Sequence, residues 1–165
     1  DIEGVQEFVG MDSIKLDRLT LIKENFKKLN DKSYWSDIKV VSIEGESTQG
    51  GEAKFFYHNS KIEKMVVKIY GEMGQTMTEY YLMKNKLSFI YHQDYEYNTH
   101  VFQKDFDFDK SDMIDFRYYF EADSIFRILS SEGGEILYNP PYFKEVTDQK
   151  KNDFQHYIAL DSKNE

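Results

Sequence analysis

One short pattern occurs three times in this chain and constrains its fold more than any other feature. It reads KFFYHNSKIEKM at 54–65, EYYLMKNKLSFI at 79–90 and RYYFEADSIFRI at 117–128. Each copy has an aromatic pair, a short polar break and a second apolar run, which is the pattern of two strands joined by a tight turn. Because each copy of a repeat forms the same supersecondary unit, the sequence predicts three β-hairpins in one antiparallel sheet.

The polar breaks predict two-residue turns. Their central pairs are Asn59-Ser60, Lys84-Asn85 and Ala122-Asp123. A type I′ turn needs positive φ at both central residues, which Asn and Asp tolerate better than other non-glycine residues. Ser60 and Ala122 fit this requirement less well, so a longer or bulged turn stays open for the first and third copies.

Period-two alternation divides the hairpin side chains between two faces. One face carries Phe55, Tyr57, Ile62, Val66, Tyr80, Leu82, Leu87, Phe89, Tyr118, Phe120, Ile125 and Leu129. This face is mostly apolar, and we predict that it forms the core. Its central members, which we expect to be buried, are Tyr80, Leu82, Leu87, Phe89, Tyr118 and Phe120.

The opposite face carries an aromatic row, Phe56, Tyr81 and Tyr119, among charged residues that include Glu79 and Arg117. Since charged side chains are rarely buried unpaired, this face is expected to be partly exposed to water. Aromatic side chains with a polar rim are typical of recognition surfaces. These five residues are therefore the predicted ligand-binding residues. The alternative is that a helix covers the row.

The remaining segments complete a single α+β domain spanning 1–165. Residues 12–33 predict an amphipathic helix capped by Asp12 or Ser13, and 142–160 predict a closing helix. A strand is predicted at 38–43, a glycine-containing loop at 46–52 and an extra strand at 95–102. The predicted architecture is an N-terminal helix packed on a meandering antiparallel sheet.

Composition excludes several functional classes. The net charge of −9 disfavours nucleic acid and anionic membranes as partners. The absence of cysteine excludes disulfides, thiolate metal sites and a cysteine nucleophile. No apolar run approaches the roughly 20 residues that span a bilayer, so no transmembrane segment is predicted.

No cofactor, metal or catalytic residue is predicted. The run DFDFDKSD at 105–112 begins like a calcium loop, but Lys110 replaces the glycine at its sixth position and Phe116 the glutamate at its twelfth. The four histidines lack the close spacing of zinc ligands. The chain has neither a Gly-rich phosphate loop nor a GxSxG motif.

Glu79 and Glu121 provide the basis for an enzymatic alternative. Two carboxylates on one sheet face can hydrolyse a glycan if they lie roughly 5 to 9 Å apart. Cross-strand charge pairing explains the same residues without catalysis. Enzymatic activity is therefore the less favoured hypothesis.

The hairpin pattern, together with GGE, YGEMG and EYY between residues 50 and 129, resembles the YY-x-NGKL units of uncharacterised exported, lipoprotein-like proteins of Bacteroidetes-type bacteria. It is more weakly similar to antitoxin-like repeats built on Y-x-NGK hairpins. The resemblance covers about half of the chain. It implies a periplasmic or cell-surface location after removal of a signal peptide, and it leaves lipid attachment upstream of Asp1 open.

These observations together predict a non-enzymatic cell-envelope protein. Its expected partner is an envelope protein, a peptide or a glycan bound on the aromatic face of the sheet. A carboxylate-dependent hydrolase acting on a glycan and a structural or assembly subunit are the alternatives. Exposure of Phe56, Tyr81 and Tyr119 is the observation that separates them, since a binding face requires these side chains to be accessible.

Overall fold

The structure is a computed structural model that describes residues 13–162. Two α-helices flank one sheet: α1 spans Ser13–Leu29 and α2 spans Pro140–Ser162. Two short 3-10 helices lie at Lys32–Tyr34 and Phe108–Lys110. The strands are β1 (Asp37–Ile43), β2 (Gly51–His58), β3 (Lys61–Tyr70), β4 (Gly74–Met83), β5 (Lys86–Glu96), β6 (Asp112–Glu121), β7 (Ser124–Ser130) and β8 (Gly134–Glu135).

The eight strands form one sheet in chain order, and each strand pairs antiparallel with the next. This is the predicted meander, and the α+β class with a helix before and after the sheet is confirmed. In the part of the chain that the structure describes, no helix is long and apolar enough to cross a membrane.

The three predicted turns all form as two-residue connections. Their central residues have φ between 50° and 67°, although none is glycine. This is the left-handed region that type I′ turns require at both positions. The longer turn left open for the first and third copies does not occur.

Ala122 carries the least favourable side chain for its backbone, at φ 50°. A left-handed conformation costs a non-glycine residue about 1–2 kcal/mol, whereas glycine adopts it freely. We therefore expect Ala122→Gly to raise the free energy of unfolding by about 0.5–1 kcal/mol in urea denaturation. Ala159→Gly, within α2, is the matched control and should lower it by about 1 kcal/mol. Destabilisation by Ala122→Gly would show that this turn is not strained.

Each repeated hairpin also contains a bulge at the same place. Tyr81 pairs with Phe89 whereas Leu82 pairs with Leu87, so Ser88 is an additional residue on the return strand. The corresponding additional residues in the other hairpins are Glu63 and Phe126. Next to the turns, residue 57 pairs with 62, 82 with 87 and 120 with 125, as the predicted two-residue turns require.

Because of these bulges, the predicted division of the faces is wrong for residues beyond them. One additional residue reverses the alternation beyond it. Phe89 and Leu129 therefore lie on the opposite face from Leu87 and Ile125, in a separate hydrophobic cluster. Val66 is reversed in the same way by the bulge at Glu63.

The α2 face of the sheet, defined by the side chains that pack with α2, holds the larger core. Its buried members include Ala53, Phe55, Met65, Val67, Tyr80, Leu82, Leu87, Ile90, Tyr118, Phe120, Ile125 and Ile128. Phe143 and Val146 of α2 are buried against them, with Phe154, Tyr157, Ile158 and Leu160 partly buried alongside. All six residues predicted to be central in the core are buried, although Phe89 lies on the other face of the sheet.

The α1 face, on the other side of the sheet, holds a smaller cluster. Leu19, Ile22 and Leu29 of α1 pack there with Tyr81, Phe89 and Tyr119. Polar contacts attach the helix to the sheet. Asn25 Nδ2 donates a buried hydrogen bond to the Leu82 carbonyl oxygen at 3.0 Å, and Arg18 Nε donates a partly buried one to that of Phe120 at 3.1 Å. The predicted helix at 12–33 is shorter than expected, and Asp12 lies outside the described residues.

The predicted strand at 95–102 is wrong. β5 ends at Glu96, and the segment up to β6 is a loop tied by the Tyr97 and Val101 amides to the carbonyl oxygens of Met73 and Glu72. β5 is already paired with β4 and β6 on its two sides, so the connecting segment has no free sheet edge beside it to join.

Candidate functional site

The predicted ligand-binding row does not form one exposed surface. Tyr81 is 0% exposed and Tyr119 is 5% exposed, whereas Phe56 and Glu79 are half-buried and Arg117 is exposed. The expectation of a wet row is therefore wrong for Tyr81 and Tyr119. The physical reason is α1, which packs over both rings.

Glu79 is a hydrogen-bond acceptor for the buried Tyr81. The Tyr81 hydroxyl donates to Glu79 Oε1, and Asn30 Nδ2 donates to the Tyr81 hydroxyl oxygen at 3.2 Å. Lys64 Nζ donates to Asn30 Oδ1 at 3.0 Å. Burial, reinforced by Glu79, raises the pKa of Tyr81, and burial lowers the pKa of Lys64. The charges on this face are thus partners within a network rather than evidence of an open binding surface.

Phe56 lies apart from the other two aromatic residues. Its ring is 5.3 Å from that of Trp35, and the Lys54 and Lys64 ammonium groups lie 5.6 and 4.9 Å from its centre. Tyr81 separates it from Tyr119, since β3, β4 and β5 intervene between their strands. Phe56 consequently belongs to a different part of the α1 face.

Tyr119 and Arg117 do contribute to a common site, a groove between α1 and the strands β5 and β6. Its volume is about 320 Å³. We call it the α1 groove. It is lined by Ile22, Lys23, Phe26, Phe89, Tyr91, Arg117 and Tyr119.

Aromatic side chains fix the floor of the α1 groove. The Phe89 ring lies 4.9 Å from that of Tyr119 and 5.6 Å from that of Phe26, in a perpendicular contact with the latter. Interlocked aromatic rings of this kind add to the energy of their burial and limit rotation. The floor is therefore preformed.

Tyr91 forms a fixed side of the groove. Its hydroxyl donates to Asp115 Oδ2 at 2.9 Å and accepts from Gln93 Nε2 at 3.3 Å. Burial and the bond to Asp115 raise the pKa of Tyr91. The Arg117 guanidinium lies 5.4 Å from the centre of the Tyr91 ring, a cation–π distance. Tyr91 thus orients the arginine at the edge of the groove.

The groove differs in charge from the rest of the protein. Among the described residues that line it, the charged side chains are the two cations Lys23 and Arg117, and none is a carboxylate. The chain as a whole has a net charge of −9. An apolar concavity with a few polar side chains at its edge is the usual form of a small-ligand site.

The carboxylate pair proposed for glycan hydrolysis does not form. Glu79 is level with Tyr91 on β5 and Arg117 on β6, and Glu121 lies four residues further along β6. Strand geometry separates the two by about 13 Å along the sheet and about 10 Å across it, well beyond the glycosidase range. Glu121 instead pairs with Arg18 at 2.9 Å.

Sequence reasoning missed a polar relay on the α2 face. Thr78 Oγ1 lies 2.8 Å from His92 Nδ1, and His92 Nε2 lies 2.9 Å from Asp94 Oδ1. Hydroxyl, imidazole and carboxylate in this order can activate a nucleophile. Thr78, however, is buried on the face that α2 covers, so the relay satisfies polar groups inside the protein. The feature that could have indicated the relay is the pairing of Thr78 on β4 with His92 on β5.

His92 makes stability depend on pH. Burial lowers the pKa of His92, as does Lys150 of α2, while Asp94 and Asp153 oppose this shift. Because the folded pKa lies below the unfolded value of about 6.5, stability is complete above that pH and falls as pH drops below it. We expect His92→Gln to reduce the fall in unfolding free energy between about pH 6.5 and 5 in urea denaturation. Equal pH dependence of the two proteins would contradict this assignment.

Among residues 13–162, no group of three or more histidine and carboxylate side chains is placed to hold a metal ion. In the DFDFDKSD run, Asp107 Oδ1 accepts from the Asp109 amide and so caps a short 3-10 helix.

Comparison with protein-family models, curated proteins and solved structures finds no match to this chain. The α1 groove is therefore the basis for the function proposed below.

Proposed function

We propose that this is a non-enzymatic binding protein that takes an apolar side chain of a peptide into the α1 groove. The observation that carries the proposal is a preformed aromatic concavity of about 320 Å³ beside Lys23 and Arg117. Small-ligand sites are mostly apolar concavities of roughly 300–1,000 Å³ with a few polar groups that set orientation. The groove is at the lower end, which suits a single large side chain.

The residue types of the groove support peptide recognition. Aromatic residues and arginine dominate the energetics of protein interfaces, because they bury a large area at a low cost in conformational entropy. Here Tyr91 and Arg117 are held by neighbours, so less entropy is lost on binding. A glycan fits less well, since sugar hydroxyls are usually matched by carboxylates or amides that the described lining lacks.

The cell envelope is the proposed location. The support for it is the resemblance of the three hairpins to units of exported proteins, which predicts a periplasmic or cell-surface setting. A peptide partner is compatible with that setting.

A direct test is an amide NMR titration with two tripeptides, acetyl-Gly-Gly-Phe as the free acid and as the C-terminal amide. Binding of either one should shift signals that cluster around Ile22, Phe26, Phe89 and Tyr119. Lys23→Trp places a large side chain at the groove edge and should weaken binding at least tenfold. Lys27→Trp, on the same helix but outside the groove, is the matched control.

The proposal fails if neither tripeptide produces saturable shifts, or if Lys23→Trp and Lys27→Trp bind equally well. Both lysines are exposed, so both variants are expected to fold. Far-ultraviolet circular dichroism verifies this before the titration.

A further inference from the structure

We propose that the α1 groove selects an aromatic side chain of its peptide ligand over an aliphatic side chain of the same size. This inference rests on the proposed function and specifies the class of side chain that the same site accepts. It follows from the chemistry of the lining, the angles between its rings and the position of Arg117.

Aromatic rings make up most of the lining. Four of the seven side chains that line the groove are aromatic: Phe26 of α1, Phe89 and Tyr91 of β5, and Tyr119 of β6. Phe26 and Tyr91 are half-buried, so part of each side chain is accessible from solvent. Because the groove lies between the helix and the sheet, a side chain bound in it would lie between rings that both elements supply.

The angles between these rings favour an aromatic ligand. Phe26 is inclined by 86° to Phe89 at a distance of 5.6 Å between ring centres, and Phe89 is inclined by 46° to Tyr119. Inclined rings attract each other because the edge of an aromatic ring is positive and its face is negative. A further ring can extend this arrangement, whereas a saturated side chain gains only from burial. The expected advantage of the ring is about two- to tenfold in affinity.

Arg117 adds a second attraction for an aromatic ring. It is exposed, and its guanidinium lies 5.4 Å from the centre of the Tyr91 ring. A planar guanidinium stacks on aromatic faces and has two sides on which a ring can lie. Hydrogen bonds to Asp115 and from Gln93 hold the Tyr91 hydroxyl, which limits the motion of the ring beneath the arginine. A ligand ring beside this cation would gain a cation–π contact at a low cost in entropy.

Three peptides test the inference in an amide NMR titration: acetyl-Gly-Gly-Phe-amide and its analogues with cyclohexylalanine or ring-trifluorinated phenylalanine in place of phenylalanine. Cyclohexylalanine is close to phenylalanine in size and more apolar, so burial alone would favour it. Fluorination withdraws electron density from the face of the ring and makes the ring more apolar. We expect phenylalanine to bind about threefold more tightly than cyclohexylalanine and about twofold more tightly than the trifluorinated analogue.

Two variants assign these differences to side chains of the groove. Arg117→Gln should remove most of the loss caused by fluorination, because the cation is gone. Phe26→Leu should reduce the preference for phenylalanine over cyclohexylalanine, because a saturated side chain replaces the ring on the helix. Lys27→Gln, an exposed neighbour on α1, is the matched control and should leave both differences unchanged.

The outcomes distinguish the inference from the proposed function. Equal or tighter binding of the cyclohexylalanine peptide at the groove overturns the inference and leaves the proposed function standing. Failure of all three peptides to produce saturable shifts overturns both. An unchanged effect of fluorination in Arg117→Gln overturns the role of Arg117, and an unchanged preference in Phe26→Leu overturns that of Phe26.

Discussion

Replacing Tyr81 with alanine is expected to lower the free energy of unfolding by about 3–5 kcal/mol. Tyr81 is completely buried, and its ring lies 4.9 Å from that of Phe26 and 5.8 Å from that of Phe89. Truncation would leave a cavity beneath α1 and deprive Asn30 and Glu79 of a buried partner. Urea denaturation of the wild-type protein and the variant measures the difference.

Two control variants separate the parts of this effect. Tyr81→Phe keeps the ring and removes the hydroxyl, so it should cost about 1–3 kcal/mol for the groups left unpaired. Tyr142→Ala removes an exposed tyrosine of α2 and should change stability by about 0.5 kcal/mol or less. A loss below about 1 kcal/mol for Tyr81→Ala would mean that α1 does not cover the sheet as described.

The prediction for Tyr81 reverses the expectation from sequence, and the reason is physical. Charges at Glu79 and Arg117 suggested an exposed face, because charged groups are rarely buried without partners. In the structure Glu79 accepts a hydrogen bond from the buried Tyr81, whose hydroxyl oxygen also accepts one from Asn30 at the end of α1. A pattern of residue types along one strand cannot reveal which helix residue will face it.

The sequence predicted the hairpins because their determinants are local. The three turns depend on the conformational preferences of adjacent residues, and repetition of the pattern reinforced each assignment. The bulges are different. Their additional residues, Glu63, Ser88 and Phe126, share no chemical property. Nothing in their side chains distinguishes a bulged position from a regular one, so the reversal of Phe89 was not predictable.

Part of the lining of the α1 groove was predicted from the sequence. Arg117 and Tyr119 were among the predicted binding residues, and both line the groove. The helix at 12–33 was predicted to be amphipathic, but its position over β5 and β6 is a tertiary property. The site became apparent only when helix and strands were brought together.

Replacing Phe120 with alanine is the corresponding test on the other face of the sheet. Phe120 is 0% exposed, lies in the core beneath α2 and is expected to contribute about 3–5 kcal/mol to stability. Phe102→Ala is the matched control, since Phe102 is 69% exposed and should cost about 0.5 kcal/mol or less. Urea denaturation measures both.

The shape of the denaturation curves adds a second result. The same eight-stranded sheet contributes residues to both clusters, so loss of either side chain should weaken the whole domain. We therefore expect Phe120→Ala and Tyr81→Ala to shift the midpoint of one cooperative transition without changing its slope. Two separate transitions, or a Phe120→Ala loss as small as that of Phe102→Ala, would show that α2 does not close a core continuous with the sheet.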